Sequence, residues 1–332
     1  MGLITIQENS GVPKYRQIIA SVEQAIRDGR LSKGDRLPSV NKVCLGFGLS
    51  RDTVLLAYDE LKKRGILFAH PGKGYYVKST GVSIQRKVFL LFDELNSFKE
   101  DLYNSFLEHI GTEIQVDIFF HHFNPQVFRK LVDDAKGNYT HYVINPCELE
   151  VAEEVLATLP PEDVYLLDQV QPNLSQYAAA YQPFAKDIYD GLKQAHSRLS
   201  KYGKLILIFP DFREPQGMLE GFRKFCRDMA LPHDSIRSFG QRKIVPGEVY
   251  VIPNDRDLVR VIERAKEQRF EAGRDFGIIS YNETPLKKVV EKGITTISTD
   301  FEAMGRLMAG MILKGDKRQV PNKSGLILRH SL

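Results

Sequence analysis

Over the first 80 positions, apolar residues recur at helical rather than alternating spacing. Tyr15, Ile18, Ile19, Val22 and Ile26 lie on one stripe of a helix predicted over 13–28, with Gly29 as its stop. Ser39 is placed to cap a second, short helix carrying Val40, Val43 and Cys44, closed by Gly46 and Gly48. Ser50 caps a third, in which Val54, Ala57, Tyr58 and Leu61 share a buried face and Arg51, Asp52 and Leu55 an outer one. The period then changes to that of two short strands, Ile66–Ala69 and Tyr75–Val77, joined by His70-Pro71-Gly72-Lys73-Gly74. Two helices separated by a glycine-containing turn suit entry into a major groove. A hairpin with Lys73 at its tip suits contact with a phosphate.

From Lys87 onward, apolar runs alternate with amphipathic ones. Strands are expected at Val88–Phe92, Val116–Phe120, Tyr142–Ile144, Val164–Leu167, Leu205–Phe209, Val249–Ile252, Gly277–Ser280 and Thr295–Ser298. Helices are expected between them, among others at Leu102–Ile110, Val127–Ala135, Leu149–Leu159 and Leu258–Gln268. Continuous apolar strands alternating with helices predict a parallel sheet buried on both faces, an α/β doubly wound architecture in two lobes. The polar stretch around Ser79–Gln85 reads as a linker. The expected domains are therefore 1–80, a linker at 81–86, and a two-lobed domain at 87–332.

Charge sharpens this division. The net charge is +4, yet residues 1–80 hold 13 Lys+Arg against 7 Asp+Glu, so the remainder is mildly acidic. A small basic module on a larger acidic one fits a phosphate-binding head on a sensor. Cys44, Cys147 and Cys226 stand apart without ligand spacing, which predicts reduced thiols in the cytoplasm and no metal site. No apolar run reaches the length of a membrane span. His121-His122 lacks the i, i+4 spacing of a helical metal pair. Gly72-Lys73-Gly74 lacks the Walker spacing, and neither a nucleophile elbow nor an H-E-x-x-H motif is present. No enzyme activity and no cofactor are expected.

The N-terminal residues resemble the GntR-type winged helix-turn-helix. The resemblance is carried in order by Pro13-Lys14-Tyr15, Gly34-Asp35-Arg36-Leu37-Pro38-Ser39, Leu49-Ser50-Arg51-Asp52-Thr53-Val54, Gly65-Ile66-Leu67 and Gly72-Lys73-Gly74. It implies contacts to double-stranded operator DNA by Arg36 and Ser39, by Ser50, Arg51 and Thr53, and by Gly72 and Lys73. Asn41 and Leu55 stand where arginines are common in that family. Asn41 retains hydrogen-bonding capacity toward DNA, and Leu55 suits a thymine methyl.

Toward the C-terminus, Val251-Ile252-Pro253-Asn254-Asp255, Gly277-Ile278-Ile279-Ser280-Tyr281-Asn282, Ile294-Thr295-Thr296-Ile297, Met304-Gly305 and Leu326-Ile327-Leu328-Arg329-His330-Ser331 resemble LacI-type sensor domains. That family implies the periplasmic-binding-protein-like fold with a small ligand between two lobes. Met218 replaces the arginine that often grips a sugar there, with Arg213 or Gln216 as nearby substitutes. A GntR-type head on a LacI-type sensor is an arabinose-repressor-like arrangement. It implies a homodimeric transcription regulator with a sugar effector; a purine or nucleoside is the second effector class. GntR-type heads also occur fused to aminotransferase-like domains, but those need a pyridoxal-phosphate lysine and a longer chain.

In open α/β sheets the ligand sits beyond the carboxyl ends of the strands. The expected ligand residues at those ends are therefore Asp93, Asn96, Asn145, Asp168, Arg213, Asn254, Asp255, Tyr281 and Asn282, with Phe98 and Phe184 for stacking on an apolar ligand face, and Gln216 is added as the substitute that the LacI-type resemblance suggests. Some of these residues are equally suited to capping the helices that follow them.

Overall fold

The computed structural model describes residues 2–8, 10–80, 86–136, 138–210 and 214–332. The linker expected at 81–86 lies outside them apart from Arg86, and so does Arg213.

The head is a three-helix unit with a two-stranded wing. In α1 (Lys14–Arg27), Ile18, Ile19, Val22 and Ile26 turn inward, as their spacing predicts. α2 (Val40–Phe47) begins where the Ser39 hydroxyl accepts the Lys42 amide at 3.2 Å, and ends at Gly48, whose φ of 65° suits glycine. α3 (Arg51–Lys63) is capped the same way by Ser50, and buries Val54, Ala57, Tyr58 and Leu61. β1 (Leu67–His70) and β2 (Gly74–Val77) form an antiparallel hairpin around the expected loop.

The remainder forms two lobes, each around a six-stranded sheet. In the first lobe the chain runs β3 (Lys87–Phe92), α4 (Ser97–Ile110), β4 (Gln115–Phe120), α5 (Pro125–Ala135), β5 (His141–Ile144), α6 (Ala152–Leu156), β6 (Val164–Asp168) and β7 (Ala178–Tyr181). It then crosses to the second lobe through α7 (Phe184–Gln194), α8 (His196–Leu199), β8 (Lys204–Ile208), α9 (Gln216–Asp228), β9 (His233–Ile236), β10 (Glu248–Ile252), α10 (Asp255–Gln268), β11 (Gly277–Tyr281), α11 (Pro285–Val289) and β12 (Thr295–Thr299). α12 (Phe301–Lys314) and the edge strand β13 (Gln319–Pro321) return to the first lobe, and β14 (Ser324–Ile327) ends in the second. The sheet orders are β13-β7-β6-β5-β3-β4 and β14-β12-β11-β10-β8-β9, so both lobes share one winding and each takes an edge strand from the C-terminal segment. All pairings in the two lobe sheets are parallel except β12 with β14.

Three expectations need correction. The helix expected at Leu149–Leu159 shrinks to α6, because the chain leaves β5 through Cys147 at φ 48° and meets Pro160-Pro161 soon afterwards. Strands β7, β9 and β13 were not anticipated. Their sequences, AAAY, HDSI and QVP, have low β-propensity or no alternation, and neighbouring strands hold them in place. The final strand of the LacI-like motif is shorter than the motif. Arg329 and Ser331 act after it: Arg329 forks onto Glu283 at 2.7 and 2.9 Å, and the Ser331 hydroxyl donates to the Ile278 carbonyl at 2.8 Å.

The lobes join where the chain crosses three times, at 181–184, 299–301 and 321–324. Asn322 binds these crossings to one another. Its amide donates to Tyr181 O at 2.7 Å, and its side chain donates to Thr299 Oγ1 at 2.9 Å and Asp300 O at 2.7 Å. α7 packs into the core of the second lobe, while α12 packs on α4 in the first. The latter contact is so close that a Cβ on Gly305 would sit 2.4 Å from Leu102 O. The head rests on the first lobe, where Arg16 donates to the Asn138 side chain and Gly11 approaches Thr158.

Candidate functional site

Two surfaces carry the chemistry. On the head, Arg36, Ser39, Asn41, Ser50, Arg51, Gly72 and Lys73 are exposed and Thr53 half-buried. The two head-to-lobe contacts named above, Arg16 with Asn138 and Gly11 with Thr158, do not involve them. Local bonds fix their placement. Tyr58, buried in α3, donates to Pro38 O at 2.8 Å, which ties α3 to the Gly34–Ser39 loop. Arg51 donates to Asn41 Oδ1 at 2.9 Å, so Asn41 orients the Arg51 guanidinium. Ser39, Ser50 and Thr53 spend side-chain capacity on the caps: the Ser50 and Thr53 hydroxyls lie 2.8 Å apart, and Ser50 also accepts the Thr53 amide. Arg36 pairs with the wing through a bridge to Tyr76. Gly74, at φ 110°, leaves room for its guanidinium, 3.4 Å from where a Cβ would stand. Lys73 sits at the tip of a turn closed by its own amide onto His70 O at 2.9 Å.

The second surface lies between the lobes. The carboxyl ends of the first sheet converge on a buried polar network. Lys99, on α4, is 2 % exposed; it is ion-paired to Asp93 and lies 3.5 Å from Asp168. Asn145 donates to Asp168 at 3.2 Å and accepts the Cys147 amide at 3.0 Å. Gln182, at the first crossing, donates to Asp168 and accepts from the Tyr281 hydroxyl at 3.4 Å. Tyr281 belongs to the second lobe, so the network spans both. Phe184 lies 6.3 Å from the Tyr281 ring. Burial, reinforced by Asp187 and Asp168, keeps the Tyr281 phenol well above its ordinary range, and burial pushes the Cys147 thiol up to about 12. Both stay protonated at neutral pH, which makes Cys147 a packing residue rather than a nucleophile. A second cross-lobe link stands at the rim, where the Glu148 carboxylate accepts the Gln216 amide at 2.9 Å at the start of α9.

The structure gives the other expected ligand residues different surroundings. Asn96 caps α4 through the Lys99 amide at 3.1 Å, and Asn254 caps α10 through the Arg256 amide at 2.8 Å. Phe98 stacks on Phe301 at 4.8 Å. Asp255 pairs at 2.8 Å with Lys287, a buried lysine that also donates to the carbonyls of Tyr281 and Asn282 at 2.8 Å each. Burial lowers the Lys287 ammonium, against the pull of Asp255. Asn282 sits at φ 59° with its Oδ1 buried and unpartnered. Of nine non-glycine residues with positive φ among the described residues, five (His122, Phe123, Cys147, Asp168 and Asn282) end or follow β4, β5, β6 and β11. Backbone strain of this kind collects at sites where geometry is held for a purpose.

Sequence reasoning missed Lys99, Gln182, Glu148 and Lys287. A lysine in an amphipathic helix reads as a solvated charge, and only the fold of α4 over β3 turns Lys99 inward. Among the described residues, no cluster of three or more His, Cys, Asp or Glu is arranged to hold a metal ion, and no helix is long and apolar enough to cross a membrane.

Comparison with known proteins follows the same division. Residues 14–77 match the family of bacterial regulatory proteins of the gntR type, and residues 202–332 match the periplasmic binding protein-like domain family. Among curated relatives, the mannosyl-D-glycerate transport/metabolism system repressor MngR of Escherichia coli is 36 % identical over 107 residues, 32 % of this chain and 41 % of that protein. The repressor YtrA of Bacillus subtilis is 29 % identical over 115 residues, 34 % of this chain and 85 % of the relative. The regulator YcxD of Bacillus subtilis is 35 % identical over 71 residues, and the match spans only 16 % of its length. In fold, the trehalose repressor of Escherichia coli superposes with a TM-score of 0.61 at 17 % identity, covering 72 % of this chain and 99 % of that one. A LacI family regulator of Lactobacillus casei with bound sucrose superposes with a TM-score of 0.61 at 15 % identity, over 74 % and 99 %. The chain therefore joins an N-terminal winged helix-turn-helix that matches the gntR family of bacterial regulatory proteins to a C-terminal two-lobed domain of the periplasmic-binding-protein-like fold.

Proposed function

We propose that this protein is a cytoplasmic transcription regulator that binds operator DNA through its winged helix and releases or engages it according to a small sugar bound between the lobes. The observation that carries this reading is the polar network at the carboxyl ends of the strands, which reaches both lobes through Gln182 and Tyr281 while the basic face of the head stays open. Neither carboxylates nor ammonium would be kept so deep without a purpose, because burying charge costs several kcal/mol per ion even after relaxation. MngR and YtrA are repressors, and a fold neighbour holds sucrose; those likenesses, together with the site, support a sugar as the effector class. Arg36, Asn41, Arg51 and Lys73 are the DNA residues, and Ser39, Ser50 and Thr53 position them. The unit is a two-fold homodimer, whose recognition helices meet half-sites about 34 Å apart. Leu286 and Val289 on α11, each 72 % exposed, offer the second copy an apolar foothold.

A ligand switches DNA affinity only if it binds two conformations unequally. Closure about the three crossings provides two such conformations. The test starts from duplexes enriched from random sequence by the full chain, whose affinity is then measured with and without each sugar of a panel. A coupling of about 1–3 kcal/mol corresponds to roughly 5–150-fold in affinity. Failure to enrich any sequence over bulk DNA would remove the regulator reading, and unchanged affinity with every bound sugar would remove the switch.

A further inference from the structure

Among the described residues, the buried ammonium groups of the cleft are already committed to protein oxygens, while two buried acceptors are not. Lys287 directs its ammonium to three protein oxygens, on Tyr281, Asn282 and Asp255. Lys99 is held between Asp93 and Asp168. The side-chain amides of Asn145 and Gln182 donate to Asp168, and the Tyr281 hydroxyl donates to Gln182. Two acceptors beside them stay unsatisfied. Asn282 Oδ1 and Asp187 Oδ2 are buried without a partner, and Asp187, in the first turn of α7, is 5 % exposed. Asp187 stands close enough to act on the Tyr281 phenol together with Asp168. Lys287 is neutralised by Asp255. Among the described residues, the carboxylates of Asp93, Asp168 and Asp187 then stand against one buried ammonium, that of Lys99, with Ser324 bonded to Asp187 and the exposed Lys186 acting on it from the surface. A buried acceptor left unpaired is costly, and in native structures it calls for a reason.

We propose that the cleft takes a donor-rich polyol without anionic groups, neutral or amine-bearing, and refuses sugar phosphates, sugar acids and nucleotides. This rests on the reading of the cleft as the effector site. A phosphate or carboxylate presents only acceptors near neutral pH. Among the described residues it would meet carboxylates with no free buried cation between them, and would have to break the Lys99 pairs to find one. Hydroxyl and ammonium hydrogens instead complete Asp187, Asn282 and the open lone pairs of Asp168. Burial raises the Asp187 carboxyl to about 6, so at neutral pH it remains largely ionised and receptive.

The test uses the full chain near neutral pH and a matched set of probes. Arabinose, fucose, galactose and glucose form the neutral group, galactosamine and glucosamine the amine group, and galacturonate, glucose 6-phosphate and AMP the anionic group. Thermal shift and titration calorimetry are expected to register binding from the first two groups alone. Asp187→Asn is then expected to weaken the best probe by roughly tenfold or more, while raising the protein's own melting temperature above pH 6. A carboxylate with only a structural role would lower the melting temperature when replaced. Binding by an anionic probe, with none by its neutral or amine counterpart, overturns the charge inference and leaves the effector reading standing. Silence from every probe overturns both. Unchanged affinity in Asp187→Asn removes Asp187 from the site.

Discussion

The head and the interlobe cleft solve opposite problems. The head displays its functional residues in water, and several are positioned by neighbours only a few residues away: Ser50 caps α3 three residues on, and Lys73 sits on a turn closed by His70. The cleft hides its residues, and its contacts join positions far apart in sequence, such as Tyr281 with Gln182 and Asn145 with Asp168. A surface that meets a polyanion needs exposed charge, which water keeps inexpensive. A site that encloses a small ligand must desolvate its polar groups first, and so must pair them with one another. Damage to the two regions should therefore separate cleanly, with stability falling in one and affinity in the other.

The largest expected effect tests the buried half of that contrast. Lys99→Met leaves Asp93 and Asp168 buried without their cation, a loss of about 3–5 kcal/mol. Denaturant unfolding should show the sensor domain destabilised and the head unchanged. An unaltered midpoint would mean that the network is not held by charge.

Next comes pH. Burial raises the Asp187 carboxyl from 3.8 to about 6. The folded state thus holds this proton more tightly than the unfolded chain does. Its contribution is fully present below pH 4 and is lost as pH rises through about 6. The difference is at most roughly 3 kcal/mol. The stability of Asp187→Asn relative to the unsubstituted protein should grow across that window and level off above it. A flat difference would show that Asp187 is solvated.

On the exposed half, Arg51→Ala is expected to cost about 1–3 kcal/mol of operator affinity through a lost guanine contact, with the unfolding midpoint unmoved. Lys73→Ala should instead weaken all duplexes alike and reduce the salt dependence by about one unit. If Arg51→Ala weakened every sequence equally, the recognition helix would be reading phosphate and not base.

The smallest effect concerns the seam between the two regions. Arg16→Ala removes the bond to Asn138, an exposed contact worth about 1 kcal/mol or less. Neither operator affinity nor ligand affinity should change by itself. The factor by which each alters the other should shrink, which the same titrations measure. An undiminished coupling would place communication elsewhere, along the crossings at Asn322.

By itself the amino-acid sequence determined the head almost residue by residue. Its signals are local: serine caps, a glycine stop, a glycine hairpin and a 3.6-residue apolar period act over a few positions and do not depend on the rest of the chain. It also determined the α/β class and eight of the parallel strands, most of them continuous apolar or β-branched runs because both faces are buried. It placed Asp93, Asn145, Asp168 and Tyr281 at strand ends, where the winding converges. Only the tertiary structure decided which of those residues meet and which cap helices, as Asn96 and Asn254 do. Only the packing of α4 turned Lys99 inward, and only the neighbouring strands made AAAY and QVP into β7 and β13. The reason is physical. Burial and cross-strand pairing are properties of surfaces that come together from distant segments, and a lysine or an alanine run carries no local mark of the partner it will find.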